Sequence, residues 1–205
     1  EPVGFYNKQR LVPFGEFVPF ADIVERFGIT NLVNMPGGFE PGISGNDFRF
    51  DSSGASERTV PPAHILICYE AIFPNFSSRI SQAVQDAARG ASPAEWILNV
   101  TNDAWFGQLA GPYQHFHQAR LRAVEEGLPM IRVANTGISA AIDAYGRIKK
   151  SLPLGTAGII DTALPNSLPS TLQKRFRDIP FAIFMMLLGL MLLAGRVLVK
   201  PPYAS

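Results

Sequence analysis

Cys68 is the single cysteine of this 205-residue chain. It ends the apolar run Ala63-His64-Ile65-Leu66-Ile67 and is followed by Tyr69-Glu70. A thiol at a strand-to-helix turn is placed for nucleophilic chemistry, because the unpaired N–H groups of a helix N-terminus favour the thiolate, the form that attacks. In an apolar strand the same residue otherwise serves as a small core side chain. Attack on a carbonyl also needs a base, a cation or N–H pair for the oxyanion, and shape around the acyl group. Lys8 offers the cation and the backbone N–H of Tyr69 a second donor. Glu16 follows Lys8 by eight residues in the compact element Pro13-Phe14-Gly15-Glu16. Its carboxylate can position Lys8 or carry protons. Taken singly, a Lys–Glu pair of this kind is more often a solvated surface pair.

These residues need elements to position them. The strand ending at Cys68 leads through Ala71-Ile72-Phe73-Pro74 into a predicted helix, Asn75 to Arg89. Glu95–Val100 reads as a short apolar strand closed by a Thr101-Asn102-Asp103 turn. Gly111–Glu126 reads as a helix, with Phe116, Ala119, Ala123 and Val124 at helical spacing and Gly127 and Pro129 as its stop. Met130–Ala134 and Ile138–Asp143 read as strands about the turn Asn135-Thr136-Gly137. Ala144-Tyr145-Gly146-Arg147 leads into Ile148–Leu152 as a hairpin, and Gly158–Thr162 reads as a last short strand. Strands with helices on their faces, plus hairpins, predict a mixed-sheet α/β layer domain. Asn34–Asp51 is a Gly- and Pro-rich long loop carrying Phe39 and Phe48, and long loops are disproportionately functional. Its glycines, Gly37, Gly38, Gly42 and Gly45, and its aromatics suit a mobile lid over the Cys68 pocket, and equally a solvated surface loop with incidental aromatics. Pro165–Arg177 is a second long connection.

Composition narrows the partners. A net charge of +1 with scattered Lys and Arg gives no nucleic-acid footprint. One cysteine makes no internal disulfide framework. His64, His115 and His117 are too few and too poorly spaced for a zinc site. Ile179–Val199 (IPFAIFMMLLGLMLLAGRVLV) carries no charge up to Gly195. It is just long enough to cross a bilayer, where about 20 residues are needed, and Arg196 can snorkel to the interface; the alternative is a buried helix of a soluble domain. Lys174, Arg175 and Arg177 before it and Arg196 and Lys200 after it leave orientation open. The opening Glu1-Pro2-Val3-Gly4 leads straight into a motif-rich segment, as the middle of a domain would.

Together, YNKQRLVPFGEFVPF, ICYEAIFPN, VTNDAWFG and QARLRAVEEGLPMIRVANTGISAAID resemble the nitrilase superfamily, which uses a Glu–Lys–Cys triad. Within it the match is to the apolipoprotein N-acyltransferase branch, through LVPFGEFVP, NDAWFG, the NTG-S-ID run and the hydrophobic C-terminal helix. The resemblance covers nearly the whole chain, as roughly the second half of a family member. It implies that Lys8 is the catalytic lysine, Cys68 the nucleophile and Glu16 a second active-site glutamate. Tyr69 would lend its amide to an oxyanion hole, and Glu70 would brace the turn by hydrogen bonds. Asn102 and Trp105 match a loop beside the pocket, with Trp105 otherwise a core aromatic. Phe39 and Phe48 of the loop would cover an acyl chain.

The resemblance further implies a nitrilase-like αββα layered domain, incomplete here, with a C-terminal transmembrane helix. Residues 1–164 would be the C-terminal part of the catalytic domain, 165–178 a connector, 179–199 the membrane helix and 200–205 a tail. The implied reaction moves a phospholipid acyl chain through a cysteine thioester to the N-terminal amine of a diacylated apolipoprotein, with no metal and no organic cofactor. The setting would be the bacterial inner membrane, multi-pass in the full protein, with the catalytic domain on the periplasmic face. The family's general-base glutamate falls upstream of Glu1, so the chain alone is expected to be inactive. A soluble nitrilase-type amidase and an inactive membrane-anchored module are the other readings.

Overall fold

The computed structural model describes residues 6–19, 39–42, 47–48, 60–74 and 93–198. The predicted helix from Asn75 to Arg89 lies outside them. The described strands form one six-stranded sheet in chain order: β1 (Asp47–Phe48), β2 (Ala63–Ile67), β3 (Trp96–Asn102), β4 (Met130–Asn135), β5 (Ser139–Ile142) and β6 (Ile148–Leu152). β2, β3 and β4 run parallel; β1, β5 and β6 add antiparallel edges. The sheet is thus mixed, as the alternation of hairpins with a helical segment predicts.

A parallel pair needs a crossover long enough to carry the chain back along the sheet. Between β3 and β4 that crossover is α1 (Ala110–Glu126). Phe116, Ala119 and Ala123 turn to the sheet and pack with Leu66, Ile97, Met130, Ala140 and Ile142. Val124, at the margin of the apolar stripe, is instead 42 % exposed. Gly127 ends the helix in the left-handed region, φ 67°, with its N–H bonded to the carbonyls of Ala123 and Val124.

Side chains alternate between sheet faces, so Ile65, Ile67, Leu98, Val100, Ile131 and Val133 point away from α1. Val100 and Val133 remain 43 % and 52 % exposed there. One helical layer therefore covers one face among the described residues, and the opposite face is apolar and partly open. Gly158–Thr162, predicted as a strand, joins no ladder. It passes over the Leu152 side chain, where a Cβ on Gly158 would lie 3.1 Å from Leu152 Cδ2. Ile160 and Leu164 line a cavity of about 380 Å³ with Trp96, Ile131 and Val133 on the open face. The segment lies on the sheet rather than beside its edge, which is why it gains no strand partner. Asp47–Phe48, predicted as loop, does pair, as the short edge strand β1.

The connector is tied down. Leu168 donates its N–H to the Gly127 carbonyl at 2.8 Å, and Thr171 caps α2 (Leu172–Phe176) by accepting from the Lys174 N–H at 3.0 Å. α3 (Ile179–Leu198) forms over the predicted apolar segment. Phe181, Phe184, Met191 and Leu193 are 60–66 % exposed on it. Among the described residues no helix is long and apolar enough to cross a membrane; the α3 side chains are described only as far as Gly195.

Candidate active site

The parallel register aligns Ile67 with Val100, and Asn102 with Asn135. The C-terminal ends of β2, β3 and β4 therefore lie at one end of the sheet, where open α/β sheets place their ligand sites. Cys68 is the first residue beyond β2. It opens a five-residue 3-10 turn, Cys68–Ile72, and is half-buried and free. Its φ is 48°. A non-glycine residue in the left-handed region is uncommon, and such strain gathers at functional turns. The surrounding bonds must hold it.

Glu70 supplies part of that hold. The residue is fully buried, and its carboxylate accepts four hydrogen bonds. Oε2 takes the Ile67 N–H at 2.7 Å and the Tyr6 hydroxyl at 3.0 Å. Oε1 takes the N–H groups of Gln9 at 2.6 Å and Arg10 at 3.1 Å. One carboxylate thus ties the nucleophile turn to the segment that carries Lys8. Burial, and then the adjacent Glu70 charge, push the Tyr6 phenol well above its usual range, so Tyr6 stays a neutral donor. The guanidinium of Arg10 lies 4.3 Å over the Phe73 ring, and Tyr69 meets Phe73 edge-on at 5.0 Å.

Lys8 and Glu16 meet as predicted. Lys8 Nζ lies 2.6 Å and 2.8 Å from the two Glu16 oxygens, and Glu16 also accepts from the Val12 N–H at 2.8 Å. Their side chains are 13 % and 24 % exposed. They line a cavity of about 540 Å³ together with Tyr6, Leu11 and Phe39. An adjoining cavity of about 340 Å³ runs from Phe39 and Pro41 past Arg10 to Tyr69 and Phe73. The described piece of the predicted lid, 39–42, binds the same segment: the Phe39 N–H donates to the Glu16 carbonyl at 2.9 Å, and the Gly42 N–H to the Lys8 carbonyl at 2.8 Å. A Cβ on Gly42 would collide with the backbone of Asn7, so only glycine permits this approach.

Phe48 is placed elsewhere. Its backbone pairs with Ala63, at the opposite end of β2 from Cys68. Asn102 caps the turn after β3, accepting from the Ala104 N–H and the Thr136 hydroxyl, each at 3.1 Å. Trp105 is 78 % exposed on that turn, which removes the core reading of this aromatic.

Beneath Cys68 lies a cluster that spacing alone does not reveal. Asp103, His115 and Arg132 are all buried. His115 Nε2 is 3.1 Å from the Cys68 carbonyl oxygen, and its Nδ1 is 2.8 Å from Asp103 Oδ1. Arg132 donates to Asp103 Oδ2 at 2.7 Å, to the Ile138 carbonyl at 3.2 Å and to Asn99 Oδ1. Asn99 donates in turn to the Leu66 carbonyl at 3.0 Å, and Thr101 to Asp103 Oδ1 at 3.0 Å. Burial pushes the Asp103 carboxyl up. The His115 hydrogen bond, the Arg132 charge and the Thr101 hydroxyl overcome it and hold the group below the usual carboxylate range. Gly137 leaves the room this requires, since a Cβ there would strike the Asp103 carboxylate. The visible signal was parity: Asn99 and Thr101 on β3, and Arg132 on β4, are polar residues at core-facing positions. No His/Cys/Asp/Glu group suited to a metal occurs among the described residues.

The chain matches the carbon–nitrogen hydrolase family over residues 2–171. It belongs to the carbon–nitrogen hydrolase family. Among curated relatives of the chain, an apolipoprotein N-acyltransferase of Rhodopseudomonas palustris is 41 % identical over 197 residues, covering 96 % of the chain and 33 % of the relative. One from Bradyrhizobium diazoefficiens is 44 % identical, covering 96 % and 34 %. The chain thus spans about a third of the length of the curated relatives it matches. Among solved structures, an amidase from Nesterenkonia sp. AN1 is 17 % identical with a TM-score of 0.45, covering 89 % of this chain and 58 % of that one.

Proposed function

We propose that this chain is the nucleophile-bearing part of an apolipoprotein N-acyltransferase. The observation that carries the reading is the Glu70 carboxylate, which joins the Cys68 turn to the Lys8 segment while Lys8 pairs with Glu16 at an adjoining cavity. The identity of 41–44 % to acyltransferases across 96 % of the chain supports it.

In this reading the Cys68 thiolate attacks the ester carbonyl of a phospholipid acyl chain. The tetrahedral oxyanion is stabilised by Lys8 and by the Tyr69 N–H, and its collapse expels a lysophospholipid and leaves a thioester. The α-amine of a diacylglyceryl-cysteine then attacks that thioester, forms the amide, and returns the sulfur as thiolate while the amine proton leaves to a base. A thioester persists between the steps yet yields readily to an amine. Glu16 holds Lys8 in reach. The chain spans about a third of its relatives' length, so the complete transfer is proposed of the whole protein. The trough past Phe39, Pro41 and Phe73 suits an acyl chain, and Trp105 offers an exposed apolar contact near the same sheet end. α3, apolar around its exposed surface, is the proposed membrane anchor, set in the bacterial inner membrane with the catalytic domain on the periplasmic face.

The test uses the full-length protein with phospholipid. An acyl adduct is expected on the peptide containing Cys68 by mass spectrometry, and none in Cys68→Ala. Persistence of the adduct in the variant overturns the reading.

A further inference from the structure

We infer that His115 is a positioning residue for the nucleophile, donating from both ring nitrogens to lock the Cys68 carbonyl onto the buried Asp103–Arg132 pair. The inference rests on Cys68 being the reacting group. Its own basis is a strained backbone and the partners that oppose the strain.

Cys68 holds φ 48°, and nothing in its side chain favours that conformation. Its N-terminal flank is held by Glu70 through the Ile67 N–H and by Asn99 through the Leu66 carbonyl. The Cys68 carbonyl itself faces His115 Nε2 at 3.1 Å. A carbonyl oxygen only accepts, so Nε2 carries a proton. Nδ1 faces Asp103 Oδ1 at 2.8 Å, and an ionised carboxylate also only accepts. The alternative, a bare Nδ1 accepting from Arg132 at 3.3 Å, would set two lone pairs 2.8 Å apart. Both nitrogens therefore donate. Arg132 and His115 approach each other because they share one carboxylate, at Oδ2 and Oδ1.

The groups around the ring are Asp103 and Thr101 from β3 and its turn, Arg132 from β4, Cys68 from the turn after β2, and the Phe106 ring at 5.2 Å. The cluster acts on the nucleophile's backbone, whose carbonyl it holds in place.

The two nitrogens can be separated. Glutamine places its amide nitrogen where Nε2 is and keeps the carbonyl bond; asparagine reaches only the Nδ1 position and keeps the Asp103 bond. In the full-length protein, the rate of iodoacetamide alkylation at Cys68, read on its own peptide, is compared for wild type, His115→Gln and His115→Asn, alongside melting temperature. Misplacing a reacting group by about 1 Å can cost on the order of 10²-fold in rate. His115→Asn should lose at least about tenfold, His115→Gln should fall between it and wild type, and the two should melt at similar temperatures. Equal rates in the two variants, or an unchanged rate in His115→Asn, would overturn the inference. Should His115→Asn not fold, Gly137→Ala, which crowds the Asp103 carboxylate without touching the ring, should slow alkylation, and a wild-type rate in it would count equally against the proposal. Alkylation needs no acyl donor, so the outcome is independent of whether the adduct of the proposed reaction forms.

Discussion

Two charged clusters flank the Cys68 turn, and they are built differently. The Asp103–His115–Arg132 cluster is sealed: Asp103 and Arg132 side chains are both 0 % exposed, and every partner lies on a strand, a strand end or α1. The Lys8–Glu16 pair is 13 % and 24 % exposed, borders a cavity, and rests on irregular backbone held by Glu70 and by residues 39–42. A sealed cluster fixes geometry and cannot meet substrate. A pair at a cavity wall can meet substrate and contributes little to stability. The difference separates what holds the nucleophile from what acts beside it.

That contrast can be broken by substitution. Glu70→Ala should have the largest effect, since it strands four donors at once: the N–H groups of Ile67, Gln9 and Arg10 and the Tyr6 hydroxyl. Leaving a buried donor unsatisfied costs about 1–3 kcal/mol, and denaturant unfolding should show the loss. Arg132→Met leaves the Asp103 carboxylate facing only His115 and Thr101, and should destabilise by about 3 kcal/mol. Lys8→Ala should do the reverse. Activity should fall by about 10²–10³, the range for losing one oxyanion donor, while stability falls by less than in Arg132→Met because the pair borders a cavity and is more solvated. Lys8→Arg should not rescue, because its planar fork places the donors differently. If Lys8→Ala melts as far as Arg132→Met, the two clusters are not distinct in kind.

Acid sharpens the comparison. The Asp103 carboxyl is held below its ordinary value of 3.8, so its contribution to stability is fully present above that value and is lost as pH falls through the lower, folded value. The stability gap between wild type and Asp103→Asn should therefore still be open at about pH 5 and close only in stronger acid. A gap that closes near neutrality would contradict this. The smallest effect belongs to the exposed turn: Trp105→Ser should leave melting unchanged, within about 0.5 kcal/mol, and reduce acyl transfer only modestly.

The sequence made much of this readable. AHILIC announced a strand ending at a thiol, Gly127-Pro129 marked the end of α1, and the compact Pro13-Phe14-Gly15-Glu16 element brought Glu16 back to Lys8. These signals are local: a period, a stop or a tight turn. The sealed cluster was not local. Alternation along β3 and β4 can mark Asn99 and Arg132 as core-facing, but not that β4 and α1 bring Arg132 and His115 to the one carboxylate of Asp103. Gly158–Thr162 failed for a related reason, since its composition suits a strand and only the neighbouring Leu152 side chain decides that it lies on the sheet. Asp47–Phe48 shows the converse, a Gly-rich stretch made to pair by the exposed edge of β2.

The most direct measurement of the central claim is a chase. Full-length protein acylated from phospholipid is separated from excess donor and mixed with a diacylglyceryl-cysteine peptide in detergent, while the Cys68 peptide and the acceptor are followed by mass spectrometry. The account predicts that the acyl mass leaves Cys68 and appears as an amide on the acceptor's N-terminus, faster than it is lost to water, with no acylation of the acceptor by Cys68→Ala. Release of free fatty acid with the acceptor unmodified, or transfer that persists without Cys68, would contradict it.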